Sequence, residues 1–330
     1  MPKVISFDEA LARTDGKERS LLIGNGFSIE HFSYRTLLEK SGLIDTDPLL
    51  TLFAALDTYD FETAIRALES AAVVESAYTH DEQAKLFISD ADRLREALVY
   101  AIRATHPGHR DDIIAKIPSC VAFLRNFKAV FSLNYDLLLY WVQLDITQDF
   151  QDGFGLGLEE QGFLGPFKEG AHCNIFNVHG GLQLFQTPVD DVQKRLMGAS
   201  GVIDAISTTI TVGKRLPIYV AEGSSAKKMA KVNSIPYLRH CYRKLSSSVG
   251  MFFVYGHSAD PNDSHIYRAI FNSEAEHIYF CIHQPSADLS AIDGQLAHYK
   301  ALYQSDISYT FVDSESAQVW NRFVEVENRQ

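Results

Sequence analysis

The chain has 330 residues, 46% of them hydrophobic and 22% charged, and its 30 basic and 42 acidic side chains leave a net charge of −12 at pH 7. The length suggests about two domains, or one large core with insertions, and the composition excludes a disordered, collagenous or fibrous chain. An acidic balance without any long block of like charge argues against nucleic acid as a partner, and no apolar run approaches the ~20 residues that a membrane span requires.

Taken in chain order, residues 21–23 form the first predicted strand, a short apolar run ending at Gly24. Residues 33–42, 60–76, 81–104 and 111–127 each predict an amphipathic helix; in the third, Ala91, Leu94, Leu98 and Ile102 recur at the three- and four-residue spacing of one helix face. A βα crossover needs only about a dozen residues, so the stretch 31–127 reads as a helical insertion or cap. Residues 129–133 predict the second strand. Residues 152–170 contain six glycines and predict a loop, a candidate lid, because glycine loses the most entropy on ordering. Strands are expected at 175–178, 218–220, 251–255, 278–282 and 307–312, with a loop or short basic helix at 222–233. Most of the strands are apolar throughout, as strands covered on both faces should be. The alternation predicts an α/β class, a Rossmann-like doubly wound parallel sheet with a helical insertion.

Four strand ends carry polar residues. The first reads Gly24-Asn25-Gly26-Phe27-Ser28, a glycine turn that lets backbone amides approach a pyrophosphate, or a tight turn with no ligand. It lacks the third glycine of a hydride-transfer dinucleotide site, Ile29 standing there instead. The second is Ser132-Leu133-Asn134-Tyr135-Asp136, in which Asn134 and Asp136 either face a ligand or make a turn and cap the following helix. The third is His179-Gly180, a base or hydroxyl partner if not a structural histidine. The fourth is Gly256-His257-Ser258, followed by Asp260.

In this order the four ends resemble the sirtuin-like NAD-consuming fold, whose strand ends read G-A-G-x-S, T-x-N-x-D, H-G and G-T-S. Gly24, Gly26 and Ser28 match the first, Asn134 and Asp136 the second, His179 and Gly180 the third, Gly256 and Ser258 the fourth. The chain is also similar to a bacterial sirtuin-like domain family of unknown function, through G-N-G-F-S, L-N-Y-D-L-L-L-Y-W, V-A-E-G-S-S and Y-G-H-S. It resembles sirtuin-like effectors of anti-phage defence, including the effector subunit of Kongming-type systems. The likeness spans most of the chain and implies a single sirtuin-like domain over 1–330. Asn25 and Ser132 depart from the family's alanine and threonine. Cys120, Cys173, Cys241 and Cys281 form no C-x-x-C pair, so the structural zinc of sirtuin deacylases has no ligands here and protein deacylation is not expected.

The resemblance implies NAD hydrolysis with water as acceptor. Nicotinamide leaves as a neutral molecule, so the acid and base carboxyls of a glycosidase are superfluous; the needs are to hold the ribose, stabilise an oxocarbenium-like transition state and place a water. Asn134 is assigned to water and ribose, His179 to a ribose hydroxyl or as proton acceptor, and Asp136 to electrostatic support. Gly24, Asn25, Gly26, Phe27, Ser28, Gly180, Gly256, His257 and Ser258 are assigned to the dinucleotide, with Asp260 and His265 as supporting groups. NAD is expected as substrate and no metal is expected, since the histidines form no H-E-x-x-H or H-x-H array. Lys227, Lys228 and Lys231 read as a solvated basic face, or as a site for a second nucleotide or an acidic partner. The 1–20 segment lacks a signal-peptide apolar stretch, so a cytoplasmic location is expected. By resemblance, a partner similar to non-canonical purine nucleotide pyrophosphatases, a deaminated purine nucleotide signal and an oligomer are expected. The competing readings are a non-catalytic nucleotide-binding sensor or scaffold and an ADP-ribosyl transferase.

Overall fold

A computed structural model describes residues 3–32, 37–78, 81–155, 162–187, 189, 191–197, 201–220, 223–283 and 285–322. The strands are β1 (Val4–Ile5), β2 (Arg19–Ile23), β3 (Ala129–Ser132), β4 (Phe163–Leu164), β5 (Ile175–Asn177), β6 (Gly180–Gln186), β7 (Val192–Arg195), β8 (Pro217–Tyr219), β9 (Val249–Tyr255), β10 (Glu274–Ile282) and β11 (Ser308–Asp313). The helices are α1 (Phe7–Arg13), α2 (Pro48–Ala55), α3 (Phe61–Ala77), α4 (Asp81–Thr105), α5 (Ile117–Leu124), α6 (Leu138–Gln143), α7 (Val202–Thr211), α8 (Ser225–Ser234), α9 (Pro236–Ser246), α10 (Ser264–Phe271) and α11 (Pro285–Leu302).

Seven strands make one sheet in the order β1-β11-β10-β9-β2-β3-β5, and every pair in it is parallel. Successive strand residues point to opposite faces, and both faces here are apolar. Leu21, Ile23 and Phe253 belong to one core with Phe7 of α1 and Phe123 of α5. Leu22, Phe252 and Val254 belong to a second core with Leu238 and Cys241 of α9 and Ile266 of α10. Burying an aromatic or aliphatic side chain this fully contributes about 1.5–3 kcal/mol each, which is why the sheet sits in the middle. The expected doubly wound α/β sheet is the one observed.

From β2 the chain moves outward through β3 and β5, then returns to the other side of β2 through β9, β10 and β11. The reversal falls between β2 and β9. Ligands of open α/β sheets bind outside the carboxyl ends of the strands at such a point.

The segment between β2 and β3 holds α2 to α5. Asp47 caps α2, accepting from the Leu49 amide at 3.0 Å with Pro48 at the first helical position, and Asp60 caps α3 in the same way through Glu62. α2 was not among the expected helices. Of the expected helix at 33–42, residues 33–36 lie outside the described residues, and 37–40 form turns. The expected helix at 111–127 is divided into a short 3₁₀ turn (Arg110–Ile113) and α5, where Pro118 occupies the first turn and donates no amide hydrogen.

A second, antiparallel sheet in the order β4-β7-β6-β8 corrects the reading of 218–220. That run pairs antiparallel with β6 instead of joining the parallel sheet. Its apolar residues disclosed a buried strand but not its direction, which the partner strand sets. Within the expected glycine-rich loop at 152–170, residues 156–161 lie outside the described residues, and Phe163–Leu164 forms β4. Residues 222–233, left open between loop and helix, are resolved from Ser225 as α8; residue 222 lies outside the described residues.

Candidate active site

The glycine turn follows β2 directly and abuts the loop after β9. Gly24 donates to the Tyr255 carbonyl at 2.9 Å and Gly26 donates to the Gly256 carbonyl at 2.8 Å. A Cβ on Gly26 would stand 2.6 Å from Gly256 Cα, and one on Gly256, where φ is +70°, would stand 2.5 Å from the Phe27 nitrogen. The two loops therefore meet backbone to backbone, which only glycines permit. Among the described residues, the amides of Asn25, His257 and Ser258 make no hydrogen bond within the protein, and all three residues line one cavity. Free amides on residues that line a cavity are available donors for an anion.

That cavity has a volume of about 210 Å³ and receives a residue from each of the four strand ends: Asn25 after β2, Leu133 and Tyr135 after β3, His179 after β5, and Gly256, His257 and Ser258 after β9. A second cavity of about 600 Å³ shares Gly256, His257 and Ser258 with it and extends past the ends of β10 and β11, to Ile282, Glu315 and Trp320. Trp320 donates through Nε1 to the Phe27 carbonyl at 2.5 Å, and its ring packs 5.2 Å from that of Phe27. The carboxyl-end crevice thus has a small polar compartment and a larger apolar one, joined at the glycine contact.

Asn134 is not among the residues that line the cavity, although its chain neighbours Leu133 and Tyr135 are. It is buried, and its Nδ2 donates to the Gly24 carbonyl at 3.0 Å and to Ser28 Oγ at 3.1 Å, tying the β3 end to the glycine turn. Its Oδ1 is buried without a partner, and a buried unpaired acceptor calls for an explanation. Asp136 does not line the cavity; its carboxylate accepts from the Leu138 amide at 2.8 Å at the start of α6 and acts electrostatically on His106. Phe27 and Ser28 are buried behind the turn. Gly180, at φ +78°, packs against Ile218 of β8, so its missing side chain serves the sheet pairing.

His179 is 4% exposed. Burial pushes its imidazole down to about 3, against the weaker opposing pull of Asp263, so the ring is neutral near pH 7. Its Nε2 lies 3.0 Å from Nε2 of His265, whose own ring is pushed down to about 4 by burial. His257 Nδ1 accepts from the Ala259 amide at 3.0 Å, which leaves its Nε2 proton for Asp263 Oδ2 at 3.3 Å. The other carboxylate oxygen takes Lys228 Nζ at 2.8 Å. Two ammonium and imidazole partners hold the Asp263 carboxyl well below the usual carboxylate range, although burial alone would raise it.

Sequence reasoning named Lys228 only as part of a basic face and did not name Asp263 or Ser225 by position. A signal existed for the first: on α8 the buried residues are Lys228 and Val232, four apart on one face, so one of the three lysines read as solvated lay on the apolar stripe. The three are in fact internally paired, Lys227 with Asp57, Lys228 with Asp263 and Lys231 with Glu62. The first and last pairs join α8 to the helical insertion.

Ligand atoms of His179, Asp263 and His265 lie within 4.8 Å of one another, a spacing that suits a cation. As arranged, both Asp263 oxygens face Lys228 and His257, and the two histidines face each other.

No curated protein matches the chain. Among solved structures, a Sir2 homologue in complex with NAD is similar at a TM-score of 0.37 and 12% identity, over 91% of this chain and 97% of that one. A Sir2 homologue mutant in complex with ADP-ribose is similar at a TM-score of 0.36 and 12% identity, over 90% and 98%. A family model described as a domain of unknown function, DUF4917, matches residues 21–320, and the chain belongs to that family.

Proposed function

We propose that the crevice binds NAD and hydrolyses its nicotinamide–ribose bond, releasing nicotinamide and ADP-ribose. The observation that carries this reading is the convergence of four separate strand ends on one cavity at the reversal point of the sheet. Two features fit the substrate: the glycine cradle with three unpaired amides suits a pyrophosphate, and the orphaned Asn134 Oδ1 suits a ribose hydroxyl or the attacking water. The resemblance of the four motifs to the sirtuin-like fold points the same way, and we read residues 1–330 as a single such domain carrying a helical insertion.

In this reading the apolar compartment takes the adenosine, the amides of Asn25, His257 and Ser258 hold the phosphates, and the polar compartment takes the nicotinamide riboside. His179, neutral and buried, meets a ribose hydroxyl. A neutral leaving group asks for no acid; of the two carboxylates that line the polar compartment, Asp263 is ion-paired with Lys228 and Asp260 accepts the Asn262 amide. Rate enhancement then comes from orientation and from fixed dipoles in a dry site.

The polar compartment, at about 210 Å³, is smaller than the ~300 Å³ at the low end of ligand pockets, which supports an enzyme that rests closed and opens on a signal. With the likeness to anti-phage effectors, we propose a cytoplasmic, oligomeric NAD-depleting effector. Its partner would be a non-canonical purine nucleotide pyrophosphatase-like subunit, and its signal a deaminated purine nucleotide. Chromatography of NAD incubated with the protein, alone and with that partner and nucleotide, tests the reading. Equimolar nicotinamide and ADP-ribose, lost in His179→Ala, are expected; NAD left intact under both conditions would refute it.

A further inference from the structure

We infer that Ser225 and His265 are positioning residues for His179: the Ser225 hydroxyl fixes the proton on His265, and His265 fixes which nitrogen of His179 carries the proton facing the cavity. The inference deepens the proposed function and rests on it for its consequence in turnover, though not for the hydrogen-bond chain itself.

The chain begins at two helix starts. Ser225 opens α8 and His265 lies in the first turn of α10, where Tyr242 pins the His265 carbonyl through its hydroxyl at 2.9 Å. Ser225 Oγ accepts the backbone N–H of His265 at 2.9 Å. It also lies 2.9 Å from His265 Nδ1. A hydroxyl has one proton to give and two lone pairs on which to accept; one lone pair takes the backbone amide, and among the described residues the only acceptor that Oγ meets is His265 Nδ1, so the proton goes there. His265 must then carry its own proton on Nε2, which points at His179 Nε2 at 3.0 Å, with the two rings nearly parallel at 22°. His179 Nε2 accepts, so its proton sits on Nδ1. That nitrogen makes no hydrogen bond within the described residues, while the ring lines the cavity.

The charged groups around the pair leave this arrangement intact. Asp263 attracts a proton toward both rings, but its oxygens are taken by Lys228 and His257. Lys228 and burial oppose a second proton on either ring. Two neutral rings and one hydroxyl therefore share three protons in a single consistent order, and His179 offers an N–H donor, suited to the oxygen of a ribose hydroxyl.

The order is readable without turnover. In protein labelled with ¹⁵N-histidine, long-range ¹H–¹⁵N correlation is expected to show His179 protonated on Nδ1 and His265 on Nε2. Ser225→Ala should shift both rings toward the other tautomer, and Ser225→Thr, which keeps the hydroxyl, should restore them. In NAD hydrolysis Ser225→Ala should lower kcat/KM by about tenfold or more, by analogy with the loss of an outer partner of a metal-bound histidine, with Ser225→Thr close to wild type. Circular dichroism of each variant separates a folding failure, in which case Ser225→Cys replaces alanine. Tautomers unchanged in Ser225→Ala overturn the inference. So does stoichiometric zinc in the purified protein, because both Nε2 atoms would then be ligands. Wild-type protein that shows the expected tautomers but leaves NAD intact refutes the functional reading and upholds the chain.

Discussion

Gly256→Ala tests whether the glycine contact is required for close approach or is merely a turn. Gly256 and Gly16 both have φ of +70°, but a Cβ at Gly16 meets nothing within 4 Å, whereas at Gly256 it falls 2.5 Å from the Phe27 nitrogen and 2.7 Å from the Gly26 carbonyl carbon. The backbone strain of an L-residue in the left-handed region is common to both and costs about 1–2 kcal/mol. Only Gly256→Ala adds overpacking, about 1–3 kcal/mol, because the neighbours are backbone and cannot swing aside. Urea denaturation measures the difference as a lower midpoint at unchanged slope. Gly256→Ala should lose about 1–3 kcal/mol more than Gly16→Ala. Calorimetric titration should show NAD affinity weakened by at least about tenfold, some 1.4 kcal/mol, in Gly256→Ala and unchanged in Gly16→Ala. Equal losses of stability, or full NAD affinity in Gly256→Ala, would refute the argument.

Stability should also fall in mild acid. His106, His179 and His265 are depressed by burial from 6.5 to about 4, about 3 and about 4. Below pH 6.5 the unfolded chain takes up protons that the native rings refuse, so stability is complete above that pH. It declines as pH falls toward 4, by up to about 1.4 kcal/mol per pH unit per histidine; urea midpoints level from pH 7.5 to 5 would contradict this. Asn134→Ala removes donors to the Gly24 carbonyl and Ser28 Oγ. It should cost about 1–3 kcal/mol, read by the same urea assay, and abolish NAD cleavage while the circular dichroism spectrum persists. Trp141 and Trp320 are the chain's two tryptophans, and Trp320 lines the larger cavity. In Trp141→Phe, NAD should therefore change the remaining emission saturably; emission indifferent to NAD would count against an adenosine compartment there.

The parallel sheet and its site were legible because their physics is local. Runs such as Leu21–Ile23 and Phe252–Tyr255 are apolar throughout, as a strand covered on both faces should be, and glycines directly after them announce a turn at the carboxyl end. β6 and the antiparallel sheet were not legible, since Gly180 and Gly181 read as a loop. Their strand state depends on β8 lying against them, forty residues away in the chain. The cluster behind His179 was legible only in pieces: His265 stood as a supporting group and Ser225 in the V-A-E-G-S-S run, but that they meet each other, Lys228 and Asp263 is set by three neighbouring elements. Asn134 illustrates the limit from the other side. Its position was visible in the sequence, yet its amide faces Gly24 and Ser28, a contact that only the folded juxtaposition of β2 and β3 supplies.

A crystal structure of the protein soaked or grown with NAD or ADP-ribose tests the central claim most directly. The adenosine is expected in the compartment lined by Trp320 and Ile282, the pyrophosphate on the amides of Asn25, His257 and Ser258, and the ribose that bears the nicotinamide within hydrogen-bond reach of His179. A ligand bound at any other surface, or empty density in the crevice at saturating concentration, would contradict it.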